Sequence, residues 1–240
     1  MTKHLLIAGH GMRTDGVFDP GATLTGTRIG EHEYFSKMIF PKMRKHVHPE
    51  DRDNLILFDD YNVYSKNNIV NLAQSYGKDT LVHELHFDSA GNPSARGGHV
   101  IIYDQFKPDG LDLRINQAIY NTVGLNHNYV HRNIEGLSGR SDLRNLNACA
   151  RAGVNYRLSE LGFGSNTEDA KYMHSNAKAI AIEYLIAHFG RYNKKEEEEE
   201  TKTMWRVVIG SYQDRDNADD ALRLANDKGF DDAFIVPFEK

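Results

Sequence analysis

Two histidines at the ends of short apolar runs have the side chains that a hydrolytic metal site needs. His10 stands between Gly9 and Gly11, so that the backbone can turn sharply there, and His86 ends a second apolar run. Two imidazoles and one carboxylate are common protein ligands of a catalytic zinc ion that keeps one position open. A further carboxylate can then act as general base for the attacking water. These residue types predict metal-dependent hydrolysis.

Two glutamates are placed to supply those carboxylates. Glu31 follows Gly30 at the start of a predicted helix, where the helix dipole alone favours an acid, and Glu33 is an alternative ligand. Glu160 ends an apolar strand just before a Gly-rich turn, and burial there should raise its pKa towards the range of a general base. An ion pair with Arg157 or with another arginine is the structural alternative for Glu160.

Other residues with reactive side chains fit a metal-binding or catalytic role less well. His127 and His131 have the spacing of a helical zinc motif, but Asn128 stands where that motif needs a glutamate. Their glycine-rich surroundings predict a substrate-facing loop. Cys149 lacks a catalytic context and is expected in the core. Asp88 either orients an imidazole or begins a loop.

The composition is that of an ordinary globular protein. The chain has 240 residues, of which 40% are hydrophobic and 26% charged, with a net charge of -5. Residues 196–240 hold 13 Asp and Glu against 6 Lys and Arg, so the acidity is concentrated there. Neither part is basic enough to predict nucleic acid as a partner. The single cysteine excludes an internal disulfide.

Apolar runs and helical patterns alternate along most of the chain. This order predicts an α/β fold with a mainly parallel twisted sheet flanked by helices. Ligands of such sheets lie at the carboxyl ends of strands, where His10, His86 and Glu160 fall. Pro41 is expected to kink the first helix, and Thr167 to cap the last. The predicted strands are Leu5–Ala8, Leu55–Phe58, Leu81–Phe87, Val100–Tyr103 and Val154–Leu161, and the predicted helices are Glu31–Val47, Asn68–Tyr76, Leu111–Val123 and Thr167–Phe189.

A block of five glutamates, Glu196 to Glu200, marks a boundary. Such a block repels itself and buries nothing, so it predicts a solvated linker over residues 194–203. The linker would join a catalytic domain, residues 1–193, to a small C-terminal module, residues 204–240. The run that follows the first residues is too short for a signal peptide, and no segment reaches the ~20 apolar residues of a membrane span.

The C-terminal module has a β-α-β pattern. A strand is predicted at Trp205–Tyr212, a helix at Ala218–Asp227 that stops at Gly229, and a second strand at Ala233–Val236. So short a unit is expected to gain stability by pairing, in a homodimer or against the catalytic domain.

Together, the four segments with candidate ligands resemble the zinc-dependent N-acetylmuramoyl-L-alanine amidases of the type-3 family, which occur in bacterial autolysins and phage endolysins. The resemblance covers residues 4–190 and rests on the order and spacing of the motifs. It departs from the family at Asp88, where Asn is commoner, and in the loop 104–142. The motifs are Ala8-Gly9-His10-Gly11 with Asp19-Pro20-Gly21-Ala22, Gly30-Glu31, Leu85-His86-Phe87-Asp88, Leu143-Arg144-Asn145, and Glu160-Leu161-Gly162-Phe163 with Asn166.

The resemblance implies a zinc ion held by His10, Glu31 and His86, with Glu160 as the catalytic carboxylate. The substrate would be peptidoglycan, cut at the amide between N-acetylmuramic acid and L-alanine. Since no signal peptide is predicted, we expect a phage endolysin that is made in the host cytoplasm and reaches the cell wall after holin-type release or lysis, or else an autolysin freed by lysis of a mother cell. The alternatives are a zinc peptidase that cuts the stem peptide and a wall-binding protein without activity.

The segment Trp205–Tyr212 and the helix after it resemble the first part of a SPOR module, a peptidoglycan-binding repeat. The resemblance implies that the module binds the cell wall. Because the segment is acidic, the glycan would be held by hydrogen bonds and by stacking on Trp205 or Tyr212 rather than by charge. A dimerisation element is the alternative interpretation.

Overall fold

A six-stranded sheet forms the centre of the larger of two structural units, Met1–Glu198 and Glu199–Lys240. The computed structural model describes residues 2–195, 210–230 and 233–237. The strands of the larger unit are β1 (His4–Ala8), β2 (Gly11–Met12), β3 (Phe18–Asp19), β4 (Leu55–Phe58), β5 (Leu81–Asp88), β6 (His99–Tyr103), β7 (Val130–His131), β8 (Ile134–Glu135), β9 (Leu137–Arg140) and β10 (Asn155–Phe163).

The order of the sheet is β4-β1-β5-β10-β6-β9. The strands β4, β1, β5 and β10 are mutually parallel, whereas β6 is antiparallel to β10 and parallel to β9. The predicted α/β fold with a mainly parallel sheet is therefore confirmed. Strand β9 was not predicted, because Leu137-Ser138-Gly139-Arg140 contains only one large apolar residue.

Helices cover both faces of the sheet. On one face α2, α5 and α8 pack over Leu6, Leu85 and Leu161, and on the other α4 and α6 pack over Ile7 and Leu158. Cys149 lies buried in this second layer, as predicted. The helical segments are α1 (Glu31–Glu33), a π-helical segment (Tyr34–Ile39), α2 (Phe40–His46), a 3₁₀ helix (Pro49–Asn54), α3 (Val63–Lys66), α4 (Ile69–Ser75), α5 (Gly110–Asn121), α6 (Arg144–Ala152), α7 (Thr167–Ser175) and α8 (Ala177–Phe189).

The helix that begins at Glu31 departs from regular geometry before its proline. Its middle is π-helical, and the N–H of Phe40 donates to the carbonyl of Phe35, five residues back. Pro41 has no N–H with which to close a regular turn, and the wider turn immediately precedes it. The expected irregularity at Pro41 thus takes the form of a π-helical segment.

The predicted long helix Thr167–Phe189 is wrong in two respects. It consists of two helices, α7 and α8, separated at Asn176, whose backbone leaves the helical region (φ -119°, ψ 26°). The N-cap of α7 is Asn166 rather than Thr167, because the Asn166 side chain accepts hydrogen bonds from the N–H groups of Glu168 and Asp169.

The smaller unit contains the helix α9 (Arg215–Asp227), and Asp214 caps its N-terminus. This confirms the helix predicted from Ala218, although the helix begins earlier, and Gly229 follows it with a positive φ of 89°. The predicted strand Ala233–Val236 is not observed, since residues 233–237 have no strand pairing within the described part of the chain. A strand needs a hydrogen-bonded neighbour, and most of its predicted partner, Trp205–Tyr212, lies outside the described residues, as does most of the linker.

Among the described helices, none combines the length and apolar character that crossing a membrane requires.

Three buried imidazoles form a chain between the sheet and α8. His4 Nδ1 lies 2.9 Å from His188 Nδ1, and His188 Nε2 lies 3.0 Å from His83 Nδ1. At the end of the chain His83 Nε2 lies 2.8 Å from Ser159 Oγ. Burial lowers the pKa of His4 to about 4 and the pKa values of His83 and His188 well below their usual range. All three rings are therefore neutral at pH 7, and each contact can pair one donor with one acceptor.

Candidate metal and catalytic site

The loop after β1, the start of α1 and the end of β5 meet at one edge of the sheet. They bring His10, Glu31 and His86 together, so that one ligand atom from each lies within 4.8 Å of the others. His86 Nδ1 lies 2.6 Å from Glu31 Oε1, and His10 Nε2 lies 3.4 Å from Glu31 Oε2. Glu31 is buried, whereas the two imidazoles are partly exposed. The sequence predicted this grouping from two strand ends and a helix start, and the geometry suits a cation bound at an open edge.

The backbone around His10 is adapted to this close approach. His10 itself has a φ of 62°, a left-handed conformation that is uncommon for residues with a Cβ. A side chain at Gly9 would run into the His86 ring, and a Cβ at Gly21 would lie 2.7 Å from the Glu31 Cβ. Glycine is required at both positions because no other residue leaves room for the cluster.

The outer ring nitrogens of both histidines contact further carboxylates. His10 Nδ1 lies 2.9 Å from Asp19 Oδ2, and His86 Nε2 lies 3.2 Å from Glu84 Oε1. Such contacts fix the orientation of a ligand imidazole. The sequence placed Asp19 in a family motif without a role of its own and gave Glu84 no role, because both contacts depend on tertiary geometry.

The charges in the cluster favour a bound cation. Burial opposes ionisation of Glu31, but the neighbouring His86 and His10 outweigh it and lower the pKa of Glu31 to about 2. Burial likewise disfavours a charged His86, yet Glu31 and Glu84 raise its pKa well above the usual range. The buried carboxylate is thus ionised, which is the form that binds a cation.

Glu160 lies beside this cluster on β10, directly across from His86 on β5. Its Oε2 is buried and has no hydrogen-bond partner among the described residues. Burial raises the pKa of Glu160 well above its usual range; His86 opposes this shift, whereas Glu31 and the other nearby carboxylates add to it. This shift makes the Glu160 carboxylate a stronger proton acceptor than an ordinary glutamate.

The structural alternative for Glu160 is wrong. Arg157 is buried and points to the opposite face of β10, where its Nε lies 2.8 Å from Asp112 Oδ1. A second nitrogen of Arg157 lies 3.0 Å from Asp109 Oδ2. Arg157 is therefore neutralised within the core, and among the described residues no other arginine pairs with Glu160.

The structure places the competing acidic candidates outside the cluster. Glu33 pairs with Lys37 at 2.9 Å on the surface, so Glu31 alone faces the histidines. Asp88 is the last residue of β5 and not the first loop residue, and its carboxylate accepts a hydrogen bond from the N–H of Ser89.

The two histidines with helical spacing lie in and beside the β7–β8 hairpin, not on a helix. His127 pairs with Glu135 at the exposed surface, 2.6 Å apart, whereas His131 Nε2 lies 3.3 Å from the carbonyl of Phe106. Each ring has a different neighbour, so the two do not form a metal site.

Another histidine near the site was missed by the sequence analysis. His99 begins β6 directly across from Glu160, is 1% exposed, and stacks on the Tyr129 ring with 3.8 Å between the ring centres. Burial lowers the pKa of His99 to about 4, so its ring is neutral. No sequence signal could have found it, because its position depends on the antiparallel pairing of β6 with β10.

Comparison with known proteins identifies the family. The chain belongs to the N-acetylmuramoyl-L-alanine amidase family Amidase_3, which it matches over residues 5–189. It is 36% identical over 188 residues to a probable autolysin, PH, of Staphylococcus aureus. That match covers 72% of this chain but 35% of the autolysin, so the chain spans about a third of the length of this relative.

Solved structures of amidases share the fold. An N-acetylmuramoyl-L-alanine amidase from Clostridium difficile 630 superposes with a TM-score of 0.57 at 14% identity, over 79% of this chain and 95% of that one. The amidase Ami1 from Mycobacterium smegmatis gives a TM-score of 0.57 at 18% identity, over the same shares, 79% and 95%. At these identities the likeness establishes the fold alone.

The C-terminal region matches a SPOR domain over residues 160–237. Residues 160–189 of this match also lie within the amidase match, and the structure places them in β10, α7 and α8 of the larger unit. Residues 190–237 are thus the part of the SPOR match that lies beyond the amidase match.

Proposed function

We propose that this chain hydrolyses the amide bond between N-acetylmuramic acid and L-alanine in peptidoglycan. Membership of the amidase family supports the substrate class. The observation that favours catalysis over inert binding is the juxtaposition of a clustered ligand set with Glu160, whose buried Oε2 lacks a partner. A protein that only binds the wall has no need of a desolvated, unpaired carboxyl group at that place.

We further propose that His10, Glu31 and His86 hold a zinc ion. Two imidazole nitrogens and one carboxylate oxygen are a donor set that zinc accepts in catalytic sites, and here they lie within 4.8 Å of one another. The outer nitrogens are occupied by Asp19 and Glu84, which leaves His10 Nε2 and His86 Nδ1 as the ligand atoms. Glu160 is not part of the clustered set and stays available for proton transfer.

The proposed mechanism uses Glu160 twice. When bound, zinc would supply a Lewis acid that polarises the scissile carbonyl and acidifies the attacking water. Glu160 accepts the proton of that water as its oxygen bonds to the carbonyl carbon. Glu160 then delivers the proton to the nitrogen of L-alanine as the C–N bond breaks, which yields a carboxylic acid, with the second proton of the water, and a free amine. Its raised pKa suits a group that must hold the proton between these steps.

The decisive experiment is a digestion of purified peptidoglycan with and without a chelator, followed by mass spectrometry of the new ends. We expect free N-terminal L-alanine that disappears on chelation and returns when zinc is added. New amino termini inside the stem peptide would instead support the peptidase alternative. New reducing sugar ends would exclude the zinc mechanism, and a folded, zinc-loaded protein that gives no product would support the inert wall-binding alternative.

We propose that the region after the catalytic unit directs the enzyme to the cell wall. Its match to a SPOR domain supports this role, and Tyr212 in that region is 49% exposed. The division into a catalytic domain over 1–193, a linker over 194–203 and a module over 204–240 belongs to the same proposal. Release from a host cytoplasm by a holin or by lysis stays a prediction, which export from intact cells would contradict.

Deleting residues 194–240 is expected to weaken sedimentation with purified cell walls while leaving turnover on soluble wall fragments intact, because the site lies in the other unit. Circular dichroism and zinc content of the shortened protein serve as controls. Unchanged sedimentation would contradict wall targeting. If sedimentation were unchanged but the deletion converted a dimer to a monomer in analytical ultracentrifugation, the dimerisation alternative would replace wall targeting.

A further inference from the structure

We propose that Glu84 is a positioning residue that holds the His86 ring with Nδ1 turned towards Glu31 and His10. The inference rests on the proposed function, since it concerns how a metal ligand is presented. Glu84 and His86 are two residues apart on β5, so they lie on the same face of the strand. Glu84 Oε1 lies 3.2 Å from His86 Nε2, and its side chain is 4% exposed.

The Glu84 carboxylate is itself held by two further donors. The hydroxyl of Tyr156 on β10 donates to Oε2 at 2.6 Å, and Nδ2 of Asn145 on α6 donates to the same oxygen at 3.0 Å. A buried carboxylate is costly unless its oxygens are hydrogen-bonded, and here both are. Rotation of the Glu84 side chain would break contacts to β10 and α6 together, so its Oε1 is fixed in place.

This arrangement selects which nitrogen of His86 faces the ligand cluster. Either nitrogen of an imidazole can bind a metal ion, and the proton on the other nitrogen decides which one does. With Nε2–H donating to Glu84, Nδ1 is the atom that lies 2.6 Å from Glu31 Oε1. The contact also makes the ring a stronger ligand. Without Glu84 the ring could turn about its Cβ–Cγ bond and lose this alignment.

Glu84 differs from the corresponding carboxylate on the other histidine. Asp19 contacts His10 from a hairpin strand, and its side chain is 33% exposed, so water can replace it. Glu84 is enclosed within the core layer beneath the site, where water cannot take its place. Its removal is therefore expected to affect metal binding more than removal of Asp19.

The test compares the full-length protein with Glu84→Ala, Glu84→Gln and the control Asp112→Asn. Asp112 is another buried acid, 4% exposed, but it contacts Arg157 on the opposite face of the sheet. We expect the zinc dissociation constant of Glu84→Ala to rise about 10- to 100-fold. Glu84→Gln should lose less zinc affinity, because its amide oxygen can still accept a hydrogen bond from His86 Nε2–H. Asp112→Asn should lose thermal stability but keep its affinity for zinc.

Two readouts do not depend on turnover. Competition with a coloured chelator measures zinc affinity, and NMR of histidine-¹⁵N-labelled, zinc-loaded protein reports the proton on His86 Nε2. Wild type should show a slowly exchanging, downfield Nε2–H signal that Glu84→Ala loses. If Glu84→Ala does not fold, Glu84→Gln and Tyr156→Phe keep the test open, because Tyr156→Phe loosens Glu84 and should weaken zinc affinity by a smaller factor.

The outcomes separate this inference from the proposed function. A folded wild-type protein that binds no zinc would overturn both. A wild-type protein that binds zinc, together with folded Glu84 variants of unchanged affinity and unchanged Nε2–H signal, would overturn the positioning role alone. Equal losses of affinity in Asp112→Asn and Glu84→Ala would also overturn it, because they would indicate a general effect of core stability.

Discussion

Replacing Glu160 by glutamine is expected to lower the turnover number about 10²- to 10⁴-fold, because general acid–base catalysis usually contributes that much. Glutamine has nearly the same shape, so zinc content and sedimentation with cell walls should stay unchanged. The amide has no exchangeable acid proton with a suitable pKa and can neither accept the proton of water nor deliver one to the leaving amine. The loss should therefore appear in kcat more than in KM.

The control for this variant is Glu50→Gln, which changes a surface glutamate that pairs with Arg191. It should leave kcat within a factor of two of wild type, a range that corresponds to about 0.4 kcal/mol in activation free energy. If Glu160→Gln kept wild-type turnover with its zinc content intact, the general base would lie elsewhere, and His99 across the β6–β10 pair would be the next residue to replace.

Acidification is expected to destabilise the fold through the buried imidazole chain. In the unfolded chain a histidine has a pKa near 6.5, whereas burial, with Arg157 and Arg114 nearby, lowers the pKa of His4 to about 4. Between these two values the unfolded state binds more protons, so the free energy of unfolding rises with pH. The contribution of the neutral, buried His4 to the free energy of unfolding is fully present above pH 6.5 and is lost as the pH falls towards 4. For His4 alone the loss amounts to about 3 kcal/mol.

His83 and His188 should steepen the loss, because their pKa values are lowered further by burial and by the neighbouring rings or Arg157. Protonating adjacent rings would also place N–H groups against each other at contacts of 2.9 and 3.0 Å. Urea unfolding between pH 7.5 and 4.5 measures the effect.

A variant distinguishes destabilisation by protonation of the imidazole chain from destabilisation by loss of zinc at low pH. His4→Phe removes one titrating ring at a buried position that already contacts the Phe189 ring, so its stability should fall less steeply with decreasing pH. The control is His174→Gln, which changes a residue exposed on α7 and should keep the wild-type slope. If stability fell equally steeply with decreasing pH in His4→Phe and wild type, the proposed role of the imidazole chain would be contradicted.

The sequence predicted much of the fold because hydrophobic patterning is local. The parallel strands β1, β4 and β5 and the antiparallel strand β6 were found within about a residue of their observed ends, since each is a short apolar run between turn residues. Within the region 104–142 the predicted helix Leu111–Val123 corresponds to α5, but the strands β7, β8 and β9 were not predicted. Strand β9 is short and glycine-containing, and it is a strand because β6 offers a hydrogen-bonding edge. The helix break at Asn176 likewise has no strong sequence signal.

The candidate ligands could be named from the chain alone, but their arrangement could not. His10, Glu31, His86 and Glu160 stand at strand ends or a helix start, and parallel strands present their carboxyl ends at one edge. That geometry is implied by the order of elements, so sequence sufficed to nominate the residues.

Only the tertiary structure decided which neighbours support these residues. Glu31 rather than Glu33 faces the histidines because helical rotation turns Glu33 to Lys37 and solvent. The contacts of Glu84 to Tyr156 and Asn145 join residues at least 61 positions apart in the chain, and the buried histidine chain joins β1 to α8. Amino-acid sequence determines periodicity and chemical type, which are local properties. Hydrogen-bond partners, burial and the resulting pKa shifts depend on which distant segments pack together, and these were settled only by the fold.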